Sequence, residues 1–378
     1  MKKIKIVHAA DLHFDTPFKD VGEMQSKINK EELKEVFINI INFCKKESVD
    51  ILLLAGDIFD NFTISKETIY FMENTFKNIM NTRVFISPGN HDPFVSGSFY
   101  KMINWPDNVH IFKGSIEKVY INELEVNIWG SGFSDRYVKS SMLKNFNIND
   151  ENKINIMVMH GEISSSKDGN EYNPITVDEI SKSGLDYIAL GHRHSFSGIN
   201  KELNTFYAYS GCPQGRGFDE LGDKGIIYGF ISKGFVDLDF VKTSKRNYEE
   251  VNVDISNTFG YEEVVSKVLE SINEKDRKNN FYKVILIGEI SEEFTIDEEI
   301  LSQRLCNEFY FVKVIDKTTI LLDLDEISKG YSVKSIFVKK MLEELESLEN
   351  EEDREIMSTA LKLGISSLTE GEVKIDDY

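Results

Sequence analysis

The apolar positions of the chain fall into helical and strand rhythms that alternate up to about residue 256 and change afterwards. Lys3 to Ala9 (KIKIVHA) predicts a strand. In EELKEVFINIINFCKKE, Leu33, Phe37, Ile40, Ile41 and Cys44 recur three and four apart, the spacing of one helix face. DILLLAG (Asp50 to Gly56) lacks polar alternation, as a strand buried on both faces does. A helix over about Lys66 to Met80 and a strand at Arg83 to Ser87 follow. Ile154 to His160 and Leu185 to Gly191 predict two more fully apolar strands, with a helical stretch near Thr176 to Ser183 between them. Shorter strands then come without helices: NTFYAYSG, GIIYGFIS, GFVDLDFV and EVNVDIS. An α/β half followed by a β half predicts two sheets packed as a sandwich with helices outside.

Beyond about Ser256 a helix (Tyr261 to Asn273), a strand (Phe281 to Gly288), a helix (Asp297 to Glu308) and a strand (Phe311 to Ile315) predict a small αβαβ unit. Ser332 to Gly364 predicts two acidic helices. The expected division is residues 1–250, 256–328 and 329–378. All six prolines lie at or before Pro213 and no histidine follows His194, in keeping with a change of regime.

Length and composition sharpen this outline. The 378 residues exceed one ordinary domain, and 41% hydrophobic with 29% charged residues is a globular balance. The longest apolar run, Ile51 to Gly56, is far short of the roughly 20 residues that span a bilayer. The start MKKIKIVHAAD has no apolar stretch of signal-peptide length, and Cys44, Cys212 and Cys306 form neither a disulfide framework nor a CxxC site. The expectation is a cytoplasmic protein with no membrane contact. The net charge of −20 argues against a broadly basic nucleic-acid binder. Residues 251–378 hold 29 acidic and 15 basic side chains, so a nucleic-acid surface belongs on the first part if anywhere.

Candidate chemistry sits where the apolar strands end. Asp11-Leu-His13, Gly56-Asp57, Gly89-Asn90-His91-Asp92, His160-Gly161 and Gly191-His192-Arg-His194 each follow a predicted strand. In open α/β sheets, sites form outside the carboxyl ends of strands. Carboxylate, amide and imidazole donors suit divalent ions such as manganese, iron or zinc, and the absence of thiolates argues against structural zinc. Seven donors exceed one tetrahedral ion and suit two ions sharing a carboxylate, which can clamp a phosphoryl group. Each segment alone has a bland reading, as a turn or a satisfied polar pair; their joint order and spacing does not. His8 and His110 match no segment and are expected to be structural.

D-x-H, G-D-x-x-D, G-N-H-D, H-G and G-H-x-H, in that order over about residues 3 to 213, resemble the signature of the calcineurin-like metallophosphoesterases. The resemblance implies a four-layer α/β/β/α sandwich with a small α+β capping domain, C-terminal helices and a dinuclear centre, manganese first among the ions. Asp11, His13 and His194 would hold one ion, Asn90, His160 and His192 the other, and Asp57 would bridge them. His91 would protonate the leaving oxygen or stabilise the scissile phosphate, with the Asp60 carboxylate hydrogen-bonded to it and fixing its tautomer. Gly56-Asp-Ile-Phe-Asp60-Asn61-Phe62 lacks the arginine of phosphoprotein phosphatases and is similar to SbcD-type nucleases of double-strand-break repair, especially a YhaO-like branch. That likeness implies an enzyme that hydrolyses DNA phosphodiester bonds, a homodimer and a coiled-coil SbcC-like ATPase as partner. A phosphodiesterase or phosphatase for small or cyclic nucleotides is the alternative.

Three features stay open on the residues alone. Phe94, Phe99, Tyr100 and Trp105 either stack on an unpaired base or pack as lid or core. Arg193 and Arg216 either contact phosphate oxygens or are solvated. The stripe Ile336, Phe337, Met341, Leu345, Leu348 and then Ile356, Ala360, Leu363 either docks on a partner or packs on its own domain.

Overall fold

The computed structural model describes residues 2–18, 21–60, 64–148, 152–164, 171–291, 294–321, 324–348 and 350–370. Asn61 and Phe62, on which the contrast with phosphoprotein phosphatases rests, lie outside the described residues. The first compact unit runs to Glu250 and includes residues 277–283 and 309–311; the second holds 251–276, 284–308 and the chain from Val312 onward.

In chain order the first unit contains β1 (Ile4–Ala9), α1 (Glu23–Glu47), β2 (Ile51–Leu54), α2 (Lys66–Thr75), β3 (Arg83–Ile86), β4 (Val109–Ile111), β5 (Glu117–Ile121), β6 (Val126–Gly130) and β7 (Ile154–His160). Then come the short β8 (Glu162–Ile163) and β9 (Pro174–Ile175), α3 (Val177–Lys182), β10 (Tyr187–Gly191), β11 (Asn200–Glu202), β12 (Thr205–Tyr209), β13 (Gly225–Ser232) and β14 (Phe235–Lys242). They build two six-stranded sheets, in the orders β14-β13-β1-β2-β3-β4 and β11-β12-β10-β7-β6-β5. The late β strands are shared out between the sheets: β13 joins β1 antiparallel in one, and β12 joins β10 parallel in the other.

Strand periodicity explains the layers. On β2, Ile51 and Leu53 face the second sheet, whereas Leu52 and Leu54 face α1 and α2. On β7, Ile156 and Val158 fill the space between sheets and Met157 and Met159 fill the opposite face, with Ile180 of α3. Both faces of these strands are covered, so polar alternation is lost, and each fully buried aliphatic side chain contributes about 1.5–3 kcal/mol. Leu33, Phe37, Ile40, Ile41 and Cys44 of α1 are all buried against the first sheet, as their spacing predicts. The first unit is therefore a four-layer α/β/β/α sandwich. The α3 helix is fixed by a capping box in which Thr176 and Glu179 satisfy each other's backbone N–H groups.

The aromatic loop resolves as core. Tyr100 is buried, stacked on Phe94 and Trp105, and Trp105 Nε1 donates to the Tyr100 carbonyl at 2.8 Å. The two histidines outside the motifs are accounted for as well. His8 lies buried between the sheets, 2.9 Å from the Tyr187 hydroxyl and 3.1 Å from the Leu190 carbonyl. His110 is at the surface, 3.1 Å from Glu117 Oε1.

A three-stranded sheet is formed by β15 (Tyr248–Asp254), β16 (Phe281–Ile287) and the strand Phe311–Asp316. In the second unit two of the helices span Tyr261–Ser271 and Glu298–Leu305, and three more span Leu324–Ser328, Val333–Ser347 and Glu351–Glu370. Val338, Leu361 and Ile365 make a small core there, against which Phe337, Met341 and Leu345 pack. Phe337, Met341 and Leu345 of the C-terminal apolar stripe are thus partly covered within their own unit, while Ile336, Ile356 and Ala360 stay exposed. Among the described residues no helix is long and apolar enough to cross a membrane.

Candidate metal centre

Parallel pairing aligns the carboxyl ends of β1, β2 and β3, and likewise those of β7 and β10. The chain continues in register past them: Asp11 N donates to the Gly56 carbonyl (3.0 Å) and His13 N to the Asp57 carbonyl (2.9 Å). The two sheets thereby bring all seven predicted donors to one rim. Their backbones bend sharply to do so. Asp11 (φ 54°), His13 (φ 47°), Asp57 (φ 49°) and His192 (φ 110°) all have positive φ. Such conformations cost about 1–3 kcal/mol each and cluster at functional sites. Gly56 has φ 93°, and a Cβ there would meet His160 Nδ1 at 2.4 Å. Only glycine lets the strand end pass so close to that ring.

Ligand-type atoms of Asp11, His13 and His194 lie within 4.8 Å of one another, and so do those of Asp11, Asp57 and His160. Asp57 stands between the groups: Oδ2 is 3.7 Å from His13 Nε2 and 3.4 Å from His160 Nε2. Asn90 Oδ1 is 3.0 Å from His160 Nε2, and the His192 ring centre is 5.3 Å from that of His160. The backbone N–H of His192 donates to the Asp11 carboxylate at 3.1 and 3.2 Å. A third group, His13, Asp60 and His91, also falls within 4.8 Å.

The electrostatics are those of a buried cation site. Burial opposes ionisation of Asp57, yet the neighbouring His160, His13 and His91 hold its carboxyl well below the ordinary carboxylate range. Burial likewise works against a charged His160, but Asp57 and Asp11 pull its pKa up to about 9. Burial lowers His13 to about 4 and His192 to about 3, which keeps both rings neutral and able to donate a lone pair.

Each imidazole is turned by its outward nitrogen. His160 Nδ1 is 2.9 Å from the Ala55 carbonyl, which fixes Nε2 toward Asn90 and Asp57. His194 Nδ1 is 2.7 Å from Glu220 Oε1. Carbonyl and carboxylate oxygens only accept, so Nδ1 carries a proton in both rings, and Nε2 is the nitrogen that a cation would take once it displaces the second proton. His91 Nδ1 lies 2.8 Å from the main-chain carbonyl of Asp60. That corrects the expected contact in one respect: the carbonyl of Asp60 holds His91, while its carboxylate lies 3.2 Å from His13 Nδ1 and 3.7 Å from Arg216. The backbone around these groups is held by Asp92, which accepts from the N–H groups of Ile58, Phe59 and Gly89 and from the Tyr100 hydroxyl.

The two arginines part company. Arg193 is half exposed, with its guanidinium 5.3 Å from the Tyr209 ring and 3.9 Å from Glu162. Arg216 is largely buried and donates to Glu220 through N (2.8 Å) and Nε (3.1 Å). Asp92 was legible only as the last residue of the G-N-H-D motif, with no role attached, and Glu220 was not legible as a site residue. Glu220 is one acid among 64, and its sequence signal is its place four residues after Arg216.

The donor set fits divalent cations. Neither ring nitrogen of the buried His13 makes a well-directed hydrogen bond, although uncompensated buried polar atoms cost about 1–3 kcal/mol each. Oxygen and imidazole donors suit borderline-hard ions. The Cys212 sulfur is directed at the His194 carbonyl and Glu220 rather than at the donors' nitrogens and oxygens.

The chain is similar in sequence to known proteins. The metallophosphoesterase YhaO of Bacillus subtilis is 28% identical over 328 residues, covering 82% of this chain and 80% of its own. The SbcD component of the SbcCD nuclease of Staphylococcus epidermidis is 24% identical over 325 residues (76% of this chain, 81% of its own). The DNA double-strand break repair protein Mre11 of Thermoplasma acidophilum is 23% identical over 311 residues (76% and 79%). Residues 4–196, which include all seven donors, match the calcineurin-like phosphoesterases, and the chain belongs to that family.

Proposed function

We propose that this phosphoesterase holds two divalent cations, manganese before iron or zinc, and hydrolyses the phosphodiester backbone of DNA. Asp11, His13 and His194 take one ion, Asn90, His160 and His192 the other, and Asp57 is shared. The position of Asp57 carries the two-ion reading, since one carboxylate oxygen lies within 3.7 Å of an imidazole from each group. When bound, such a pair of ions polarises phosphoryl oxygens and brings a water toward ionisation near neutral pH.

The chain's own groups supply the rest. The carbonyl of Asp60 accepts from His91 Nδ1–H, so Nε2 is the nitrogen that exchanges a proton. In the imidazolium form it protonates the leaving oxygen. The protein backbone keeps this ring beside the bridging carboxylate, because His91 N donates to Asp57 Oδ1 at 2.9 Å. Asp57 therefore fixes both its ligand position and the loop that carries the acid.

DNA as substrate is supported by the relatives, two of which are named as part of a nuclease and as a DNA double-strand break repair protein. The net charge of −20 favours the second reading, a phosphodiesterase for small or cyclic nucleotides. A homodimer, a coiled-coil SbcC-like ATPase partner and work in the cytoplasm belong to the DNA reading. In it residues 1–250 are the nuclease domain, 256–328 a cap and 329–378 a helical segment.

The test is a manganese-loaded assay on single-stranded DNA, hairpin DNA and cyclic nucleotides. The expected result is preferential DNA hydrolysis that falls about 10²–10⁴-fold in His91→Ala while bound metal is unchanged. Hydrolysis confined to cyclic nucleotides contradicts the substrate, and full activity in His91→Ala contradicts the role of the ring.

A further inference from the structure

The stretch from Ser210 to Lys224 takes no part in the chemistry above, yet it closes on one histidine from several sides. Cys212 N donates to the His194 carbonyl at 3.3 Å and Lys224 Nζ donates to the same oxygen at 3.0 Å. Glu220, only 3% exposed, meets the ring itself: Oε1 is 2.7 Å from His194 Nδ1. The same carboxylate takes the Arg216 backbone N–H and guanidinium. Arg216 Nη1 then lies 3.7 Å from Asp60 Oδ1, which is 3.2 Å from His13 Nδ1. A line of alternating charge, Glu220–Arg216–Asp60, thus runs from the outward nitrogen of His194 to the outward nitrogen of His13. Both imidazoles belong to the Asp11 group. The outward nitrogen of His160, in the other group, is met by a neutral backbone carbonyl.

We propose that Glu220, with Arg216 and Asp60, is a positioning brace for one ion only, the one at Asp11, His13 and His194. The inference rests on the two-ion reading above. A carboxylate on the outward nitrogen locks the tautomer, aims the ring and makes the ligand nitrogen more basic. Arg216 keeps two buried carboxylates from repelling each other and from turning inward, where either would compete for the cation. Arg216 is therefore a part of the metal centre's support and not a phosphate clamp. The other group is held by different contacts, the Ala55 carbonyl 2.9 Å from His160 Nδ1 and Glu162 Oε2 3.8 Å from His192 Nε2, so the two sites respond differently to one substitution at Glu220.

The experiment titrates the metal-free full chain with Mn²⁺ by calorimetry, with circular dichroism to confirm folding. In wild type, two ions are expected to bind; fewer than two overturns the two-ion reading itself. In Glu220→Gln, one site weakens by about 10- to 100-fold and the other keeps its affinity. Arg216→Lys retains the charge but loses the fork that spans both carboxylates, and it weakens the same site. Unchanged affinities at both sites, or equal loss at both, overturn the brace while leaving the two-ion reading intact. Failure of both variants to fold also overturns it, because the fold and not one ion would then depend on these residues.

Discussion

His8 and His13 come from the same strand end and are both buried, yet their surroundings give them different tasks. His8 has both nitrogens met by neutral partners, Tyr187 and Leu190, and burial lowers it to about 3. It stays neutral in the folded protein but takes a proton at about 6.5 when unfolded, so its contribution is complete above pH 6.5 and declines as acid is added. His8→Gln removes that term. Wild type is expected to lose about 2 kcal/mol more than the variant between pH 6.5 and about pH 5, measured by urea melts at each pH. Parallel pH profiles would contradict it. The residue type alone did not separate the two rings; the D-x-H context did. What the sequence left unreadable at this scale was mostly backbone: the carbonyls of Ala55 and Asp60 orient His160 and His91, and a carbonyl has no side-chain signature.

Elements matter here through where they stop. β2, β7 and β10 were legible because burial on both faces erases polar alternation, and the ends of these strands and of β1 and β3 carried the donors. The late strands were legible as strands but not as partners, since nothing in β12 or β13 says which sheet edge it will join. The aromatic loop was equally ambiguous, because Phe94, Tyr100 and Trp105 pack on one another with the same ring faces that would stack on a base. The stop after β2 is the most exacting. Gly56 combines φ 93° with a would-be Cβ 2.4 Å from His160 Nδ1. Gly56→Ala is expected to destabilise the fold by about 1–3 kcal/mol through backbone strain and overpacking. It also displaces His160, so thermal melts with and without Mn²⁺ should show a smaller metal-induced rise in Tm than wild type. A variant with the wild-type rise would mean that the ring does not depend on that approach.

Across the whole molecule, two sheets of mixed chain origin present their carboxyl ends on one rim, and donors spread from Asp11 to His194 meet there. Sequence order alone predicted that meeting because parallel strands must end on the same side. It did not predict the supports, which come from loops and from Glu220. The acidic balance, concentrated after residue 250, means that the proposed recognition of DNA would fall to the proposed cations and the rim rather than to the chain's overall field. Anomalous diffraction from crystals grown with Mn²⁺ tests the central claim most directly. Two manganese peaks on either side of the Asp57 carboxylate are expected, one beside His13 and His194, the other beside His160 and His192. A single peak, or one seated among His13, Asp60 and His91, would contradict it.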